Sequence, residues 1–157
     1  MNFDRDNNWL VHDHQRYDNL LEDCVEAAEV LDWKAATALF NEFVAELKQH
    51  MLMEDEVLYP MLRAESGDPC GDIDLLTYEH EDILQLLGDL TTVVRRKDFE
   101  HFEAALRPLH KVLIQHNDHE EMVFLALGTE SLLMRREEIE AKLEALAPLP
   151  IRKKWMF

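Results

Sequence analysis

Apolar residues along this chain recur at alternating steps of four and three, the spacing that lines one face of a helix in a left-handed bundle, with polar residues between them. Four such stripes can be traced. The first runs through Leu10, His14, Tyr17, Leu21, Cys24, Ala28 and Leu31, and the second through Phe43, Leu47, His50, Glu54, Val57 and Met61, flanked by Met51 and Leu58. The third takes in Leu76, His80, Ile83, Leu87, Leu90 and Val94, and the fourth Leu109, Leu113, His116, Glu120, Val123 and Leu127. No segment carries a strand signal.

Helix punctuation gives the boundaries. Asn7 or Asn8 caps a first helix from about Trp9 to Val30, and Asp32 caps a second from Trp33 to about Arg63. The glycine- and proline-bearing linker ESGDPCGD, Glu65 to Asp72, separates these from a third helix, Ile73 to Arg95. Asp98 caps a fourth from Phe99 to Leu127, and Gly128 suits its C-terminus. Thr129 opens a fifth, Glu130 to Leu146, that stops before Pro148. The pattern predicts an all-α, up-down-up-down four-helix bundle with an extra C-terminal helix. It is read as a single domain over residues 1–157, with the bundle at about 9–128 and the C-terminal helix and tail at 129–157.

A shift of 66 residues lays the third and fourth helices on the first and second without a gap. His14 then falls on His80, Leu21 on Leu87, Asp32 on Asp98, Trp33 on Phe99, Leu47 on Leu113, His50 on His116 and Glu54 on Glu120. The bundle is therefore read as two similar helical hairpins. Asp32 lies 18 residues after His14 and 18 before His50, so at about 1.5 Å per residue both histidines stand roughly 27 Å from the turn. His80 and His116 stand likewise about Asp98. If the hairpins pack as one bundle, the six polar residues of the stripes share a layer, set towards the end remote from the two tight turns.

Those six residues, His14, His50, Glu54, His80, His116 and Glu120, are all His or Glu, and no Lys or Arg shares their stripes. A carboxylate in an apolar layer is costly unless its charge is offset. Protonated histidines or metal ions can offset it. Four imidazoles and two carboxylates without a thiolate suit iron or manganese and, less specifically, zinc. If each ion takes two histidines and both carboxylates bridge the pair, room is left for solvent or a small ligand.

Composition narrows the partners. The chain has 157 residues, 47% of them hydrophobic and 31% charged, enough for one domain with a real core. A formal charge of -17 argues against nucleic acid and anionic membrane surfaces as partners. Cys24 and Cys70 make no disulfide framework, there is no long apolar run, and the opening MNFDRDNNWL does not read as a signal peptide, so a cytoplasmic setting is expected.

The combination of D-H at Asp13-His14, HMLMEDEVLYP from His50 to Pro60, E-H-E at Glu79 to Glu81 and HNDHEEMVF from His116 to Phe124 resembles the hemerythrin-like or HHE cation-binding domains. The likeness spans roughly Trp9 to Gly128. It implies a four-helix bundle holding two iron ions, with His14, His50, Glu54, His80, His116 and Glu120 as ligands; manganese or zinc stay open on the ligand chemistry alone. Oxygen-carrying members of the family use five histidines and a final aspartate. Here Leu76 and Leu84 stand one turn either side of His80, and the last ligand reads as Glu120, with Glu121 the substitute. That set looks more like the domains of iron-sensing and iron-sulfur-cluster-repair proteins, although the cysteine-bearing domain of the repair proteins is absent from this sequence. The ferritin-like alternative relies on Glu-x-x-His, which does not occur in the chain.

Other conspicuous residues are read more plainly. His12 faces away from the core, His119 is a supporting or surface residue rather than a ligand, and His101 and His110 are off the seam. Tyr17 and Tyr59 are read first as packing, with donation to an oxygen species at the site as the other reading. Pro108 predicts a kink in the fourth helix. Cys24 belongs to the core and Cys70 to the linker, while the tail IRKKWMF either folds back on the bundle or docks elsewhere.

Three functions compete on the sequence. The first is a di-iron protein that binds oxygen, nitric oxide or peroxide as carrier, sensor or scavenger. The second is a di-iron oxidase or peroxidase, and the third an iron-responsive interaction module. Residues alone name neither the small molecule nor any protein partner or homo-oligomer.

Overall fold

The structure is a computed structural model and describes residues 9–127 and 134–146. Helix α1 (Trp9–Glu29) leads to α2 (Trp33–Met53), which continues through a π-helical turn (Glu54–Leu58) into α3 (Tyr59–Ser66). Helices α4 (Asp72–Arg96), α5 (Phe99–Ala126) and α6 (Arg136–Ala145) complete it. Every element among the described residues is helical, as the stripes predict. Helix α1 packs along α2 and α4 along α5, and the two hairpins meet through α2 against α4 and α1 against α5.

The repeat extends to the turns. Asp32 accepts from the Ala35 N–H and Asp98 from the His101 N–H, each at 3.2 Å, so both caps form as expected. Just before each cap stands a non-glycine residue in the left-handed region, Leu31 (φ 61°) and Lys97 (φ 55°), again 66 residues apart. Each closes its helix end through its N–H, Leu31 to the Ala28 carbonyl at 3.0 Å and Lys97 to that of Val94 at 3.1 Å. Bonds of this kind offset the roughly 1–2 kcal/mol that the conformation costs a side-chain-bearing residue. Leu31 thereby leaves the stripe assigned to it. The reversal of φ turns it outward, 65% exposed, and the stripe ends at Ala28.

The polar layer divides the core. On the side of the two tight turns, Tyr17, Leu21, Phe40, Phe43, Ile83, Leu87, Phe102 and Leu113 pack into one apolar cluster. On the other, Trp9, Leu10, Leu58, Leu62, Ile73, Leu76 and Phe124 form a second, which Ile139 of α6 completes. Each fully buried Leu, Ile or Phe contributes about 1.5–3 kcal/mol, so both clusters hold the layer between them firmly. Arg136 adds its guanidinium over the Trp9 ring at 5.2 Å. Cys24 is a core residue as read, its thiol bonding the Ala36 carbonyl at 3.3 Å, and burial raises its pKa to about 11.

One expectation about helix continuity is corrected. The second helix is interrupted by the π-helical turn, whereas α5 runs through Pro108 as one α-helix. Pro60, just past the π turn, has no N–H for the Glu56 carbonyl, which frees the ladder to widen there. Pro108 shows that proline alone does not impose the change. The fifth helix is an α-helix from Arg136 among the described residues, and its expected start at Glu130 lies outside them. Asn7, Asn8, Gly128, Thr129, Pro148 and the tail IRKKWMF lie outside the described residues. No described helix is long and apolar enough to cross a membrane.

Candidate metal centre

Helix α1 brings His14, α2 brings His50, the first residue of the π turn is Glu54, α4 brings His80, and α5 brings His116 and Glu120. All six side chains are buried, and the two glutamates are 0% exposed. His14 Nε2 lies 3.3 Å from Glu120 Oε1, and His50 Nε2 lies 3.2 Å from Glu54 Oε2. His80 Nε2 is 3.1 Å from Glu54 Oε1 and 3.1 Å from His116 Nε2, which is itself 3.5 Å from Glu120 Oε2. The six fall into two groups of four, His14, His50, Glu54, Glu120 and Glu54, His80, His116, Glu120. Within each, one ligand-type atom per residue lies within 4.8 Å of all the others. Both carboxylates belong to both groups.

The chemistry of this layer fits cations. His14 Nε2, His50 Nε2, Glu54 Oε2 and Glu120 Oε1 are buried without a hydrogen bond, although the His-Glu pairs stand within 3.3 Å. Close approach without hydrogen-bond alignment leaves lone pairs unsatisfied, which is costly in a dry interior. A cation within each group would satisfy them together. The 3.1 Å between His80 Nε2 and His116 Nε2 is also a spacing of co-ligands, since two nitrogens about 2.1 Å from one ion at right angles stand about 3 Å apart. Without metal, protons supply the positive charge. Burial opposes protonation of His50, but the Glu54 carboxylate outweighs it and raises its pKa to about 10. Burial likewise opposes that of His116, and Glu120, Glu54 and Glu79 raise it to about 12. Glu54, which burial would push up, is held well below the usual carboxylate range by His50.

A family model for the hemerythrin HHE cation-binding domain matches residues 5–127. The chain belongs to that family. No curated protein and no solved structure matches it. Metal-cation binding is thus the property this HHE domain shares with its family, and the buried His/Glu layer suits it.

Three carboxylates stand outside the layer, each against one of its histidines. The Nδ1 of His80 donates to Asp55 at 2.8 Å and that of His116 to Glu79 at 2.7 Å, while His50 Nδ1 faces Asp13 at 3.5 Å. Such partners fix an imidazole's tautomer and aim its other nitrogen, here Nε2, inward. Asp13 and Glu79 are related by the 66-residue repeat, and each precedes a histidine of its own helix yet serves the histidine of the next. Neighbours on a helix point about 100° apart, so the residue beside an inward histidine faces the adjoining helix. That offset was the available signal. His119, read as a supporting or surface residue, sets its Nδ1 2.9 Å from the second oxygen of Glu79. Glu79→Ala is expected to loosen metal binding about 10- to 100-fold by freeing the His116 ring. Chelator competition measures this, and an unchanged affinity would dismiss the role.

The two tyrosines differ. Tyr17 meets the His50 ring edge-on at 5.2 Å and carries Arg16 over its own face at 5.5 Å, a packing role. Tyr59 donates its hydroxyl to Glu120 Oε2. Beside the layer, His14, Tyr17, Leu47, His50, Glu54 and His116 help to line a small cavity of ≈ 10 Å³, about the room one water needs. Beyond it, Trp9, Asp13, Arg16, Tyr17, His50, Arg136 and Leu143 help to line a more open cleft of ≈ 390 Å³.

Proposed function

We propose that this HHE domain holds two iron ions and binds oxygen, nitric oxide or peroxide as a carrier, sensor or scavenger. His14 and His50 serve one ion, His80 and His116 the other, and Glu54 and Glu120 both. The observation that carries this reading is the pair of four-residue groups that share both carboxylates. Bound iron supplies a ferrous/ferric couple and coordination positions for a diatomic ligand. The chain's own residues set the site between two apolar clusters, aim the Nε2 of His50, His80 and His116 inward, and leave one water-sized cavity at the His14-His50 side. The helices are read as an up-down-up-down four-helix arrangement in a single domain. The free state of buried Cys24 and exposed Cys70 supports a reducing, cytoplasmic setting.

Protein prepared anaerobically with ferrous iron is expected to gain a visible absorption band when oxygen is admitted. No spectral change, with iron shown to be bound, would overturn the oxygen-responsive reading. The ≈ 390 Å³ cleft that reaches Tyr17 and His50 favours a second reading, an oxidase or peroxidase with an organic substrate seated there. Sustained peroxide turnover with a reducing partner separates the two.

A further inference from the structure

The two hairpins treat their carboxylates differently, and the difference lies at Tyr59. Its repeat mate, 66 residues on, is Leu125, which is 70% exposed, whereas Tyr59 is 2% exposed. In an unbroken α-helix, five steps of about 100° would set Tyr59 roughly 140° round from Glu54, off the inward face. The π turn takes up most of that rotation. Its i to i+5 closure, the Tyr59 N–H on the Glu54 carbonyl, brings residue 59 back above residue 54. The Tyr59 ring then stacks on His80, with centroids 5.7 Å apart and planes at 20°, and its hydroxyl reaches Glu120 Oε2. Glu54 has no such phenol, because Leu125 on the regular α5 points outward.

We infer that Tyr59 is a positioning residue for Glu120: its hydroxyl pins Oε2 towards the His80-His116 group and so keeps Oε1 turned to His14. The inference rests on the two-ion reading above. Glu120 must face both groups at once, and Oε1 has no hydrogen bond to hold it. The π turn therefore exchanges helical regularity for one donor at one of two otherwise equivalent carboxylates.

Tyr59→Phe keeps the ring and its stacking and removes the donor. Cobalt(II) is expected to bind the variant about 10- to 100-fold more weakly in chelator competition, with altered visible cobalt bands and unchanged helicity. A merely structural role would lower the melting temperature and leave the cobalt bands alone, and unchanged affinity and bands overturn the inference. An intense tyrosinate-to-iron band in the wild-type protein also overturns it, since Tyr59 would then be a ligand. If Tyr59→Phe does not fold, ring-labelled tyrosine in the wild-type protein replaces it. A Tyr59 phenol infrared band that shifts on cobalt loading supports the inference, and one that stays still refutes it. Wild-type protein that takes up no cobalt, iron or zinc overturns the two-ion reading itself, a failure distinct from that of Tyr59.

Discussion

Glu54→Ala is expected to empty both cation groups at once, whereas His14→Ala empties only the group that contains it. Glu54 contributes to both groups, one oxygen 3.2 Å from His50 and the other 3.1 Å from His80. Its removal also takes away the charge that keeps His50 protonated, and leaves buried nitrogens facing a void. Breaking a buried ionic arrangement on one side costs about 3–5 kcal/mol, so the metal-free variant should melt well below the metal-free parent. Elemental analysis after loading with iron and thermal melting by circular dichroism read the two effects separately. A Glu54→Ala protein that kept its full metal content would refute the shared-carboxylate arrangement.

The second large effect is on pH. Metal must take the place of protons, because His50 titrates at about 10 and His116 at about 12 in the metal-free protein. Loading at neutral pH therefore releases protons, and apparent affinity rises with pH. The metal-free fold moves the other way. A histidine whose folded pKa lies above its unfolded value near 6.5 contributes stability fully below that value and loses it as pH rises, through about 10 for His50 and about 12 for His116. Glu54, depressed below 4.5, contributes above that value and loses its contribution as pH falls towards its folded pKa. The centre thus stabilises the metal-free protein most between about pH 5 and 6.5. Melting temperatures of metal-free and zinc-loaded protein should diverge from pH 5 to 9. Curves that converge as pH rises would contradict the proton-for-metal exchange.

Much of this site was legible because helices convert sequence distance into position. A period near 3.6 residues sets which side chains share a face, and the two 18-residue arms about Asp32, repeated about Asp98, set their height. Those two rules alone bring His14, His50, Glu54, His80, His116 and Glu120 into one layer. The caps at Asp32 and Asp98 are equally local, each made within three residues.

What the rules missed depends on neighbours. The serving of His50 by Asp13 and of His116 by Glu79 is fixed by which helix lies alongside, and Asp55 reaches His80 across the two hairpins. The outward turn of Leu31 needs a change of φ that the stripe does not encode. Above all, the spacing that predicts a continuous second helix cannot foresee one widened turn, because the gain that favours it, the burial of Tyr59 against His80 and Glu120, comes from α4 and α5. By itself the sequence determined the all-helical repeat and the membership of the polar layer, through periodicity and equal arm lengths. Only the tertiary structure decided the outer partners and the asymmetry at Tyr59, since those follow from contacts between helices far apart in the chain.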